Sequence, residues 1–291
     1  APEGDDPVLI VKTAPTTAVE PEDPQSAAAR ILDDAVPAAE REALIVKFLH
    51  EAPALIRAMV VDLKPGTPEE YRRIPWIWRV AIAAGKQNEA KILKQILDVS
   101  LPLEKAPLRD WEAVVIGGGL INGVSQLDKW PAERFDEVLK ESPELQARWK
   151  RTLELSAEMA DSSAVPSGTR YDALRMVALR GWKQSGEQLT RYLRTGTNDE
   201  LQMGAVSGSV DVDSLDAVEQ LLAAMPIFSK HNRSLAIDGL LRGPVRTAAL
   251  VSALEEGTAK VEWLNESQRN RLLSLRDANL KKRAETLLKQ K

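Results

Sequence analysis

From Arg170 to Leu254 apolar and polar positions follow a helical rhythm, and the rhythm itself repeats. Ala173, Ala205 and Ala236 fall 32 and 31 residues apart, and Leu189, Leu221 and Leu250 fall 32 and 29 apart. A period of roughly 20 to 50 residues marks a stack of supersecondary units. The spacing predicts three helix pairs. Their first helices bury Tyr171, Leu174, Val177 and Ala178, then Leu201, Ala205 and Val206, then Leu235, Ile237 and Leu240. Their second helices bury Leu189, Tyr192 and Leu193, then Leu215, Val218, Leu221 and Leu222, then Val245, Ala248, Leu250 and Leu254. Helices over 263–275 and 279–288 close the series, with a basic end (Lys281, Lys282, Arg283, Lys289, Lys291) suited to a helix C-terminus and a polar cap.

Upstream the pattern is helical but less regular. Helices are expected over 27–35, from Pro37 through Leu44, Ile45, Phe48 and Leu49, and over 53–63. Thr67 and Glu70 read as a capping box, and Pro75 is expected to kink or restart the helix over 71–84. Asn88 reads as the cap of a helix carrying Ile92, Leu93, Ile96 and Leu97. A helix from Asp110 runs into Gly117–Gly119, and two more cover 131–141 and 143–159. Residues 1–25 hold five prolines and six acids and are expected to be an extended linker or arm; 7–12 could be a strand. The expected organisation is 1–25 extended, 26–160 irregular helical repeats, and 161–291 regular pairs, with the polar stretch 161–169 as boundary. The expected fold class is all-α, an α-solenoid of antiparallel helix pairs behind a Pro-rich extended N-terminal segment.

Composition agrees with stacked helices. Of the 13 aromatic residues seven are Trp, so the core must come from Ala, Leu, Val and Ile. A net charge of −4 from 39 basic and 43 acidic residues does not suit nucleic acid. The absence of Cys excludes disulfides, thiolate metal sites and covalent haem attachment within these residues, and suits an exported, periplasmic protein. No apolar run reaches the ~18 residues of a membrane span. The chain starts at Ala1 without a signal peptide, as a mature exported protein or a trimmed one would.

Candidate chemistry is sparse. Gly117–Gly119 lacks both the GK[ST] and the GxGxxG phosphate patterns, so these glycines are expected to end a helix or let another pack close. Asp211, Asp213 and Asp216 fail the calcium-loop pattern, since Leu215, Asp216 and Leu222 occupy required positions; Asp213 or Ser214 is expected to cap a helix. His50 and His231 stand apart from other metal-ligand motifs, and no nucleophile elbow is present. No cofactor and no catalytic residue is therefore expected. One cluster is richer: Arg72, Arg73, Trp76, Trp78 and Arg79, with Arg109, Trp111 and Asn122. Trp and Arg dominate protein–protein hot spots, but Trp also fills repeat interiors. A pocket built from these residues would suit a sugar or an anion.

Residues 74–85 (Ile-Pro-Trp-Ile-Trp-Arg onward), residues 108–123 (Leu-Arg-Asp-Trp-Glu-Ala-Val-Val-Ile-Gly-Gly-Gly-Leu-Ile-Asn-Gly) and the ending over 269–288 resemble the HEAT-like region of large exported planctomycete-type proteins. The resemblance covers about residues 40 to 291. It implies a helical region linking a propeller similar to sugar dehydrogenases to a c-type cytochrome module. This sequence has neither propeller nor CxxCH, so only the linking role carries over. The expectation is a non-catalytic scaffold or spacer contacting a protein partner or sibling domain. The alternative is a sugar- or anion-binding module or enzyme using the 72–122 cluster.

Overall fold

The computed structural model describes residues 21–194, 196 and 198–289, and every regular element among them is a helix. Most of the expected 1–25 arm lies outside the described residues. The first helices are α1 (Pro24–Ile31), α2 (Ala38–Lys47), α3 (Ala52–Met59), α4 (Pro68–Gln87) and α5 (Ala90–Ser100). A continuous helical rod follows, made of α6 (Asp110–Ala113), a π-helical stretch (Val114–Ile121) and α7 (Asn122–Ser125). Next come α8 (Pro131–Leu139) and α9 (Pro143–Asp161). The regular series is α10 (Ser167–Ala178), α11 (Trp182–Arg194), α12 (Asp199–Val210), α13 (Leu215–Ala224), α14 (Lys230–Leu240), α15 (Pro244–Glu256), α16 (Glu266–Leu273) and α17 (Ala278–Lys289).

Two lines of packing run through the series. α10 packs on α12 and α12 on α14, while α11 packs on α13, α13 on α15 and α15 on α17. The first line continues upstream, because α10 also packs on the π-helical stretch, which packs on α4. One apolar core extends from Ala27 to Ala284. All six residues that set the period, Ala173, Ala205, Ala236, Leu189, Leu221 and Leu250, are fully buried within it.

Polar links carry the same period. Asn198 Nδ2 donates to Ser167 Oγ, 31 residues back, and Asn232 Nδ2 to Gln202 Oε1, 30 back. Gln268 Nε2 donates to Asp238 Oδ1, 30 back, and Arg283 Nη2 to Ser252 Oγ, 31 back. In the upstream half such links reach farther: 40 residues from Trp78 to Gly118, 46 from Arg134 to Asn88 and 50 from Arg148 to Asp98. The reach of these links thus differs between the two halves.

Several local expectations are corrected. Pro75 does not interrupt α4, which runs unbroken from Pro68 to Gln87 with Pro75 on its exposed side. Gly117–Gly119 do not end a helix; all three are buried and the helix continues to Ser125. They serve the other expected purpose, close packing. A Cβ on Gly119 would lie 2.2 Å from Ala81 Cβ, and one on Gly117 would lie 2.2 Å from the Asp172 carbonyl oxygen. Asn88 ends α4 in the left-handed region (φ 55°) rather than capping α5. Thr67 caps α4 by accepting from the Glu70 N–H, but Glu70 Oε1 accepts from Gly66, so no box forms. Pro37 precedes α2 as its cap residue, and the helix from Pro53 begins at Ala52. Leu215 and Val245 are 62% and 60% exposed, because each opens its helix before the inward stripe begins. As expected, Ser214 caps α13 by accepting from the Ala217 N–H. Of the stretch 161–169 only 162–166 lie between helices, and α9 packs on α10 across them.

Candidate functional site

The Trp/Arg cluster divides into two groups. Trp76 is buried between two guanidinium planes, with Arg41 3.8 Å and Arg79 4.5 Å from its ring centre. Arg72 donates to Glu69 Oε1 at 2.8 Å, to Asp34 Oδ2 at 3.3 Å and to the Leu32 carbonyl. Arg73 donates to the same Glu69 at 2.7 Å and to the Met59 and Val61 carbonyls. These two hydrogen-bonded guanidinium groups hold the Glu69 carboxyl down to about 2. Arg72 and Arg73 thus tie α4 to the α1–α2 turn and to the end of α3. Trp111 is buried elsewhere, its indole N–H unpartnered. Arg109 precedes α6, and its backbone N–H donates to Glu112 Oε2 at 2.7 Å.

Trp78 and Asn122 line a cleft, and no other members of the cluster do. The cleft has a volume of about 430 Å³ and crosses α4, the π-helical rod, α10 and α12. Tyr71, Trp78 and Tyr171 supply aromatic walls, while Asp172 and Glu200 supply carboxyls. With no side chain on Gly118, Trp78 Nε1 donates to its carbonyl at 2.7 Å, and a Cβ there would lie 2.3 Å from Asp172 Oδ1. The π-helical stretch therefore carries its triple glycine where it packs on α10 and α4. Short π segments are frequent at functional sites.

Asp172 is the unusual member. It is only 6% exposed, and among the described residues it has no hydrogen-bond or ion-pair partner. Arg175, one turn on, is turned away to Asp211 Oδ2 at 3.1 Å and the Tyr171 hydroxyl at 3.2 Å. Burial holds the Asp172 carboxyl well above the ordinary carboxylate range; Arg175 opposes the shift and Glu200 adds to it. Nothing in the sequence reading singled out Asp172. The available signal was an acid one turn from Thr169 and Met176, on a face otherwise built for the core.

A neighbouring group of buried carboxyls lies under α4 and α6. Burial raises Glu70, opposed by the Gly66 N–H, and raises Asp110, opposed by Thr169. Burial raises Glu112 most, to about 7, against the Arg109 N–H. A carboxyl that holds its proton more tightly when folded stabilises the fold while protonated. For Glu112 that contribution is complete below 4.5 and disappears as pH rises through about 7. The loss is roughly 3 kcal/mol at 1.36 kcal/mol per pH unit. Glu112→Gln keeps an acceptor for the Arg109 N–H, so its unfolding free energy should fall less than the parent's between pH 4.5 and 8. Parallel pH curves in urea titrations would refute this.

Among the described residues no three His, Asp or Glu side chains are placed to hold a metal ion, and no helix is long and apolar enough to cross a membrane. The chain matches no known protein family, no curated protein and no solved structure.

Proposed function

We propose that the chain is a non-catalytic helical-repeat scaffold or spacer, an exported α-solenoid of antiparallel HEAT-like pairs that holds a protein partner or sibling domain. The observation that carries this reading is the periodic link: side chains reach back 30 or 31 residues, from one pair to the one before. A stack of this kind gains stability from each neighbour and leaves its outer faces free for contact. Leu215 and Val245, 30 residues apart, repeat an exposed apolar side chain at the start of α13 and α15, and these helices pack together. That edge is the contact surface the reading favours.

Two measurements test it. Truncation after Glu256 should leave the remaining helices folded with reduced unfolding free energy, as nearest-neighbour stability requires; loss of all helical signal would contradict a stack. Photo-crosslinkers at Leu215 and Val245 should trap a protein in the producing cell. If neither position traps one, the scaffold reading fails at this edge.

A further inference from the structure

We infer that the cleft between α4, the π-helical rod, α10 and α12 is a binding site for a primary alkylammonium group, with Asp172 as its counter-ion. This is independent of the scaffold reading, since a stack with no partner could still hold the ligand.

The geometry selects the ligand chemistry. Asp172 is a buried acid with no side-chain partner among the described residues; it lines the cleft, and its Oδ1 occupies the room that Gly118 leaves. No side chain among the described residues donates to it, so its oxygens are left to a donor that enters the cleft. Glu200 lines the same cleft and Asp110 stands behind Thr169, while the nearest cation, Arg175, is engaged with Asp211. The excess of negative charge disfavours an anion, and a neutral polyol would gain nothing from it. The aromatic faces of Tyr71, Trp78 and Tyr171 suit a cation. Pro75 has no N–H to give to the Tyr71 carbonyl one turn earlier, and both residues line the cleft. That carbonyl is a second acceptor for an ammonium N–H. Ile74, Val114 and Met203 offer apolar contact to an alkyl tail.

The charge state follows. Burial and Glu200 favour the neutral form of Asp172, and Arg175 opposes them. The other titratable groups around it are Tyr71 on α4, Asp110 on α6, and Tyr171 and Arg175 on α10. Entry of the ammonium stabilises the carboxylate, so the acid O–H bond breaks and its proton leaves to buffer. The ammonium keeps all three of its hydrogens and donates them to Asp172 and the Tyr71 carbonyl.

Two sources present this group: a free aliphatic amine and the side chain of a lysine within another chain. Calorimetric titration of the full chain with n-butylamine, with Nα-acetyl-lysine amide and with butan-1-ol as the neutral isostere separates them. At least one amine should bind, with proton release seen as a heat that depends on the buffer, and butan-1-ol should not. The tighter of the two amines assigns the source. Asp172→Asn should weaken binding by about tenfold or more, as loss of a charge-assisted bond implies. Trp78→Phe, which keeps a ring but loses the Gly118 bond, serves if Asp172→Asn fails to fold; it should weaken binding severalfold. Failure of both amines to bind, equal binding of butan-1-ol, absence of proton release, or unchanged affinity in the variants would each overturn the proposal.

Discussion

Replacing Asp211 by Ala should lower the unfolding free energy by about 3–5 kcal/mol, the usual result of stranding a buried charge. The Asp211 side chain is fully buried and accepts from Arg175 Nη2 at 3.1 Å, Arg242 Nη1 at 2.8 Å and Ser125 Oγ at 2.5 Å. Both guanidinium groups are themselves less than a tenth exposed, so water cannot replace the lost carboxylate. Arg246 adds to the same cluster through the Val210 carbonyl at 2.8 Å, with Trp130 stacked 4.6 Å from its guanidinium and 5.1 Å from that of Arg242. Chemical denaturation measures the loss directly. Adding Arg175→Met to the variant removes one of the unpaired charges and should restore part of the stability. A loss below about 1 kcal/mol, typical of an exposed ion pair, would show that the cluster is not what joins these helices.

Gly117→Ala should cost at least about 3 kcal/mol, the upper end of ordinary overpacking. The new methyl would meet the Asp172 carbonyl oxygen at 2.2 Å and its carbon at 2.9 Å, with Met176 Cγ at 3.1 Å behind. The first two are backbone atoms inside α10 and cannot swing aside as a side-chain tip can. Relief requires α10 to move off the π-helical rod, which also shifts the cleft. Gly66→Ala provides the contrast. Nothing lies near its added Cβ, so only its left-handed backbone (φ +71°) resists, at about 1–2 kcal/mol. If the two variants unfold at the same denaturant concentration, close helix approach is not what position 117 provides.

These cases show what the sequence made legible. Ala173, Ala205 and Ala236 could be read as interior because their interval equals one structural unit and their neighbours share the pattern. The glycine triplet stayed ambiguous. A run of glycine both weakens a helix and permits contact, and the deciding surfaces, Ala81 and Asp172, lie far along the chain. Pro75 was read by a local rule, whereas here Trp76 and Ile77 beside it are buried in the core and α4 continues through it. Asp211 looked like part of a capping loop because its arginine partners are 36 and 31 residues away. Of the residues expected to form a site, only Trp78 and Asn122 reach the cleft, since indole and guanidinium groups serve equally for core packing and for helix-to-helix bonds. The acid that defines the cleft gave no motif, because its meaning comes from what is missing around it.

The Asp211 cluster has a mechanical consequence. Between Asn198 and Arg283 the links described above reach back only 30 or 31 residues, so tension on the C-terminus would peel the helices off in turn, in steps of similar length. Ser125 and Lys129, however, are joined to Asp211 and Arg242 across 86 and 113 residues. Unravelling that arrived at α14 would meet a clasp that shares its load with α7, and the upstream helices would be shielded from the pull until it opened.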